Sequence, residues 1–114
     1  INREIAKEFL EMTGMKVEEA VDGKEAVNKF IASPPRYYDL IFMDVQMPIM
    51  NGYEATSAIR SLNRRDAKRI PIIAMTANAF VEDVQAAVSA GMNEHMAKPL
   101  DIEQLQDILK RWLG

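Results

Sequence analysis

DLIFMDVQMPIMNG, residues 39–52, runs four apolar side chains straight into a carboxylate and then into a turn. Leu40, Ile41, Phe42 and Met43 read as a short strand. Their unbroken apolarity fits a strand covered on both faces, as in parallel sheets, where polar alternation disappears. Pro48, Asn51 and Gly52 then break the run. Asp44 therefore stands at the strand's C-terminal tip. The fold follows from asking whether other strands end the same way.

Working outward, strands and helices alternate. Upstream, Asn2 to Thr13 has helical period, with Ile5, Phe9 and Met12 on one face, Ala6 and Leu10 beside them, and Gly14 as the stop. Lys16 to Val21 reads as a short strand before the turn pair Asp22-Gly23. Lys24 to Ala32 is a helix directing Val27, Phe30 and Ile31 inward, and Pro34 and Pro35 exclude its continuation. Downstream, Tyr53 to Ser61 is helical with Ala55, Ile59 and Leu62 in phase, and NRRDAKR reads as a charged, solvated connection. IPIIAMTA from Ile70 is a strand whose Pro71 suits a strand start. Val81 to Ala90 is a helix, HMA before Lys98 a last strand, and Asp101 to Leu113 a helix. Asp101 caps that helix with Gln104 completing a capping box, and Ile102, Leu105, Ile108, Leu109 and Trp112 form its apolar stripe. Strands each followed by a helix predict βαβ units and a doubly wound parallel sheet.

The bulk numbers bound the rest. The 114 residues suit one domain over 1–114, long enough for a core without staples. With no cysteine there is neither a disulfide framework nor a thiolate metal site. The net charge of -3 gives no nucleic-acid footprint, and no stretch approaches an apolar span, so neither nucleic-acid nor membrane contact is expected. Eight methionines fall mostly at strand or strand-end positions and read as core.

Ligands in an open α/β sheet bind beyond the C-terminal ends of the strands. The polar residues at those ends are Asp44, Thr76 and Lys98. A carboxylate, a hydroxyl and an ammonium on one edge suit phosphoryl transfer, where catalysis is largely positioning and charge neutralisation. Asp44 can be the nucleophile, Lys98 a point charge on one phosphoryl oxygen, and Thr76 a donor to another. Pro99 follows Lys98, and X–Pro bonds are where cis peptides occur; such a bond would fix how Lys98 projects.

In DLIFMDVQMPIMNG, IAMTANA and MAKPL, in that order, the chain resembles a response regulator receiver domain over its whole length. MTANAF and GMNEHMAKP most resemble receivers of hybrid sensor histidine kinases. The resemblance implies a flavodoxin-like fold and a phosphorelay role. Asp44 takes a phosphoryl group from a histidine on a histidine kinase or histidine phosphotransfer domain, and Mg²⁺ is held by Asp44 and the Gln46 backbone carbonyl. Thr76 and Lys98 contact the phosphoryl group. Gln46 and Asn78 tune its lifetime, and His95 stands where many members carry an aromatic switch. The domain alone would be no enzyme and its setting cytoplasmic; its parent could be a hybrid histidine kinase, or carry a DNA-binding domain or nothing more.

One part of that pattern is absent. Receivers open with an apolar strand ending in an acidic pair, whereas this sequence begins at Ile1-Asn2-Arg3 in the approach to the first helix. The expectation is a receiver shortened at its N-terminus, lacking the first strand and with an incomplete Mg²⁺ site. Its Leu40–Met43 strand would have an open edge, a dimer or strand-swap hazard. The alternative function is a receiver-like interaction module that accepts no phosphate. Enzymes on similar sheets fit worse. A haloacid-dehalogenase-type phosphatase wants Asp where Gln46 stands, and a flavodoxin wants a Ser/Thr/Gly-rich phosphate loop that this sequence lacks.

Overall fold

The computed structural model describes residues 3–76, 81–97 and 101–113. The order is α1 (Arg3–Met12), α2 (Gly23–Ala32), β1 (Ile41–Asp44), α3 (Gly52–Arg60), α4 (Arg65–Arg69), β2 (Ile72–Thr76), α5 (Val81–Ala90), β3 (Glu94–Ala97) and α6 (Ile102–Leu113). The three strands form one parallel sheet in the order β1-β2-β3.

Strand alternation builds two cores. Ile72 and Ala74 join a cluster with Val27, Phe30, Ala55, Ile59 and Ala87, from α2, α3 and α5. Ile73, between them, points the other way into a cluster with Leu10, Met96, Leu105, Ile108 and Leu109, served by α1 and α6. This period of two is what places helices on both faces of the sheet. On β1, Met43 packs into the first cluster and Phe42 against the second.

Local chemistry fixes the helix ends. Asp22 caps α2 by accepting the Glu25 N–H at 2.8 Å. Asn51 and Glu54 form a reciprocal capping box at the start of α3. Asp101 accepts the Glu103 N–H at 2.9 Å at the start of α6. Such caps satisfy amide donors that have no partner inside the helix.

Arg60 locks the N-terminal edge of the sheet, and Arg64 ties the end of α2 to the start of α4. Arg60 Nε donates to the Gly91 carbonyl at 2.9 Å, Nη1 to the Ala67 carbonyl at 3.0 Å, and Nη2 to Asn93 Oδ1 at 2.8 Å. Asn93 Oδ1 also accepts the Ile72 N–H that opens β2. Burial holds the Arg60 pKa below its usual range. Arg64 lies over the Phe30 ring, 4.8 Å from its centroid, and donates to the Phe30 and Ser33 carbonyls at the end of α2. Its salt bridge to Asp66 is 2.6 Å long.

Four expectations need correction. Among the described residues, Lys16 to Val21 has no strand partner and forms no ladder. A strand exists only by pairing, and among those residues β1 pairs with β2 and not with this segment. The strand Leu40 to Met43 is Ile41–Asp44, and only Met43 of its residues is fully buried. NRRDAKR is not simply solvated: Arg65–Arg69 is a helix, plugged into the core by Ala67 at 0% exposure. Met12 and Ile31 are exposed rather than inward-facing. Successive helical residues are about 100° apart, so burying Leu10 and Phe30 turns Met12 and Ile31 away from the sheet.

Candidate functional site

The locked N-terminal edge leaves the C-terminal edge for chemistry. Asp44 is the last residue of β1, aligned with Met75 on β2. Its half-buried carboxylate accepts the Gln46 N–H on Oδ1 at 2.9 Å. Val45 continues the pairing, its N–H donating to the Met75 carbonyl at 3.0 Å, and its side chain is buried. Asp44 is thus held by ladder contacts before and after it. Thr76 ends β2, one position beyond Met75, and is 5% exposed. Thr76 aligns with Ala97, the last residue of β3, which Lys98 follows directly. Three neighbouring strands therefore bring Asp44, Thr76 and the connection to Lys98 to one edge. Lys98, Pro99 and Asn78 themselves lie outside the described residues. His95 is placed differently: it is half-buried within β3, paired with Ala74, two positions back from the strand end.

Two glycines set the loop after Asp44, and sequence reasoning gave them only turn roles. The Gly52 N–H donates to the Val45 carbonyl at 3.2 Å, closing the loop on its own start. A Cβ on Gly52 would lie 2.3 Å from the Asp44 carbonyl oxygen. The Gly23 N–H donates to the Met50 carbonyl at 3.0 Å, where a Cβ would approach that oxygen to 2.2 Å. The loop is thereby pinned to the start of α2. Between these anchors, Ile49 has a left-handed backbone with φ of 69°.

Among the described residues this edge offers one carboxylate, Asp44, and no group of three or more His, Asp or Glu that could hold a metal occurs among them. Mg²⁺ takes a near-octahedral shell of oxygens. Asp44 alone falls short of that shell, and a bound ion would need further oxygen ligands to complete it.

Residues 1–110 match the model of the response regulator receiver domain. The chain belongs to that family. It is 44% identical over 108 residues to probable histidine kinase 2 of Oryza sativa subsp. indica, covering 85% of this chain and 10% of that protein. The receiver of sensor histidine kinase PA1611 from Pseudomonas aeruginosa, solved with a magnesium ion in its active-site cleft, superposes with a TM-score of 0.85 at 39% identity, covering 99% of this chain and 88% of that one. The Saccharomyces cerevisiae Ssk1 receiver, solved with the histidine phosphotransfer protein Ypd1, superposes with a TM-score of 0.85 at 30% identity, covering 96% and 79%. The parallel sheet is thus that of the flavodoxin-like receiver fold. This receiver spans about a tenth of the length of the rice kinase, and small shares of other curated relatives, several of them hybrid histidine kinases. No helix among its described residues is long and apolar enough to cross a membrane.

Proposed function

We propose that this receiver, acting as one unit over residues 1–114, accepts a phosphoryl group on Asp44 from a partner's phosphohistidine and changes its surface in response. The observation that carries the reading is Asp44 itself: a half-buried carboxylate at a parallel strand's C-terminal tip, oriented by the Gln46 N–H at 2.9 Å. An Asp44 oxygen attacks the phosphorus, the P–N bond breaks, and its electron pair returns to the imidazole nitrogen, which takes up a proton. The product is an aspartyl phosphate. Thr76 and Lys98 serve the phosphoryl oxygens, and the new charge biases the Thr76-to-Ala90 region between two arrangements. His95 and Pro99 act in that switch, and Gln46 and Asn78 tune the lifetime. A histidine kinase or histidine phosphotransfer domain is the donor, and the Ypd1 complex of a related receiver supports this. The domain catalyses no turnover of its own, and its parent is a hybrid kinase of the cytoplasm, where phosphoryl donors made from ATP are available. The magnesium ion of the PA1611 receiver supports a Mg²⁺ requirement here, with Asp44 and the Gln46 carbonyl as this chain's contribution.

A second reading, an interaction module that accepts no phosphate, is supported by the finding that no group of three or more His, Asp or Glu that could hold a metal occurs among the described residues. One experiment separates the two. The chain and Asp44→Asn are incubated with a small-molecule phosphodonor, with and without Mg²⁺, and weighed intact. The phosphoacceptor reading expects a Mg²⁺-dependent adduct of one phosphoryl group, lost in Asp44→Asn. A folded chain with no adduct under either condition selects the interaction module.

A further inference from the structure

Positive charge collects where α4 leads into β2, at the opposite end of the strands from Asp44. Ala67 of α4 is fully buried and Ile70, which closes the helix, nearly so, leaving Arg65, Lys68 and Arg69 exposed. Those three are spaced i, i+3 and i+4, neighbours on one helix face, and like charges so placed repel. Exposed Arg36, with a left-handed backbone of φ 62°, joins them, its N–H donating to Asp66 Oδ2 at 3.1 Å. Asp66 is the one acid between Arg60 and Arg69, and it has no acceptor capacity left. Its Oδ1 accepts Arg64 Nε and the Ala67 N–H, both at 3.0 Å, and its Oδ2 accepts Arg64 Nη2 at 2.6 Å besides the Arg36 N–H. A carboxylate offers about four acceptor positions, so all are taken. Lys68 Nζ donates to the Arg60 carbonyl at 2.9 Å, which leaves its charge uncancelled. Among the described residues no salt bridge reaches Arg36, Arg65, Lys68 or Arg69. These cations stand together in a chain whose net charge is -3.

We propose that Arg36, Arg65, Lys68 and Arg69 form a docking surface for a carboxylate-rich protein segment. Guanidinium groups pair with carboxylates through two parallel N–H donors, and all but Lys68 of these cations are arginines. A short acidic segment samples the patch alone, within a Debye length of roughly 10 Å. An anionic membrane or a nucleic acid extends further and meets the repulsion of a domain whose overall charge is negative. Tyr37 follows Arg36 and is 54% exposed, which offers the segment an apolar contact beside the charges. Binding here leaves the acceptor edge open, so the proposal stands without the phosphoacceptor reading.

The test titrates the chain into a fluorescently labelled peptide, Glu-Glu-Asp-Phe-Glu-Glu, at about 0.1 M salt, where charges more than ~10 Å apart are largely screened. The patch variant is Arg65→Glu/Lys68→Glu/Arg69→Glu. The control, Lys16→Glu/Lys24→Glu/Lys110→Glu, alters exposed lysines elsewhere and reaches the same net charge. Arg65→Gln/Arg69→Gln removes two charges with a good helix former and serves if the triple patch variant loses its fold by circular dichroism. The patch variant should lose about tenfold or more in affinity and the Gln pair about threefold, while the control stays within about twofold. No binding by the parent chain, or equal losses in the patch variant and the control, overturns the proposal. In NMR the peptide should shift amides of residues 34–37 and 64–70, and shifts centred on residues 44–52 would overturn the placement. Phosphatidylserine vesicles or duplex DNA binding the parent chain more tightly than the peptide would name a different occupant and overturn the proposal. Self-association in sedimentation that the patch variant abolishes would identify a second copy as the occupant and overturn it as well.

Discussion

Gly52→Ala tests whether the acceptor loop is held as tightly as its geometry says. The added Cβ would sit 2.3 Å from the Asp44 carbonyl oxygen, 2.8 Å from the Val45 Cα and 2.9 Å from the Asp44 carbonyl carbon. The shortest of these is about 1 Å inside the roughly 3.5 Å at which non-bonded contacts become favourable. All three partners are backbone atoms, and two belong to the phosphoacceptor. No flexible side chain can absorb the overlap. Overpacking usually costs ~1–3 kcal/mol, and a backbone clash belongs at or above the upper end. For a domain of this size, that lowers the melting midpoint by roughly 10 °C or more. Gly14→Ala is the matched control: its φ is 90° but nothing lies within 4 Å of the new methyl. It should cost only the left-handed backbone penalty of ~1–2 kcal/mol. Calorimetry would rank the two, and phosphodonor labelling would show reduced modification of Asp44 in Gly52→Ala but not in Gly14→Ala. A Gly52→Ala chain that melts with the parent and labels at the parent's rate would refute the steric reasoning.

Three further outcomes follow from the same structure. Tyr38 stacks on Phe30 and donates to Glu18 Oε1 at 2.9 Å, and burial, then that bond, push its hydroxyl up to about 12. A folded-state value raised from 10.0 means stability is intact below pH 10 and falls as pH rises toward 12; Tyr38→Phe should flatten that fall in alkaline melting curves. Asp66 is held down at about 2, first by its hydrogen bond from Arg64, so its contribution is present above its unfolded value of 3.8 and is lost as pH falls toward 2. Acid titration followed by circular dichroism should show that loss removed in Asp66→Asn. Thr76→Ala should leave labelling of Asp44 largely intact while abolishing the spectral response of the Thr76-to-Ala90 region in NMR; loss of labelling itself would show that Thr76 serves the transfer rather than the switch.

The sequence made the strand ends legible because apolar runs closed by a polar residue are a local pattern. Asp44 and Thr76 stand at the ends of adjacent strands as that pattern requires. The alternation of Ile72, Ile73 and Ala74 between two cores was equally implicit in βαβ order. The Lys16-to-Val21 segment misled, because β propensity is local whereas a strand needs a partner. The arginine locks were invisible for a related reason. Arg64 reaches carbonyls some 30 residues away in sequence, and nothing in NRRDAKR marks which cation turns inward. Gly52 and Gly23 read as turn residues, yet their tight steric contacts are tertiary, with carbonyls of the acceptor strand and its loop.

The most direct test of the account is the chemical identity of the modified residue. The chain, labelled with a phosphodonor in the presence of Mg²⁺, is reduced with borohydride, digested and sequenced by mass spectrometry. An aspartyl phosphate is reduced to homoserine, so the account predicts homoserine at position 44 and at no other carboxylate. Homoserine at another position, phosphate retained on His95, or an unmodified Asp44 in a folded chain would contradict it.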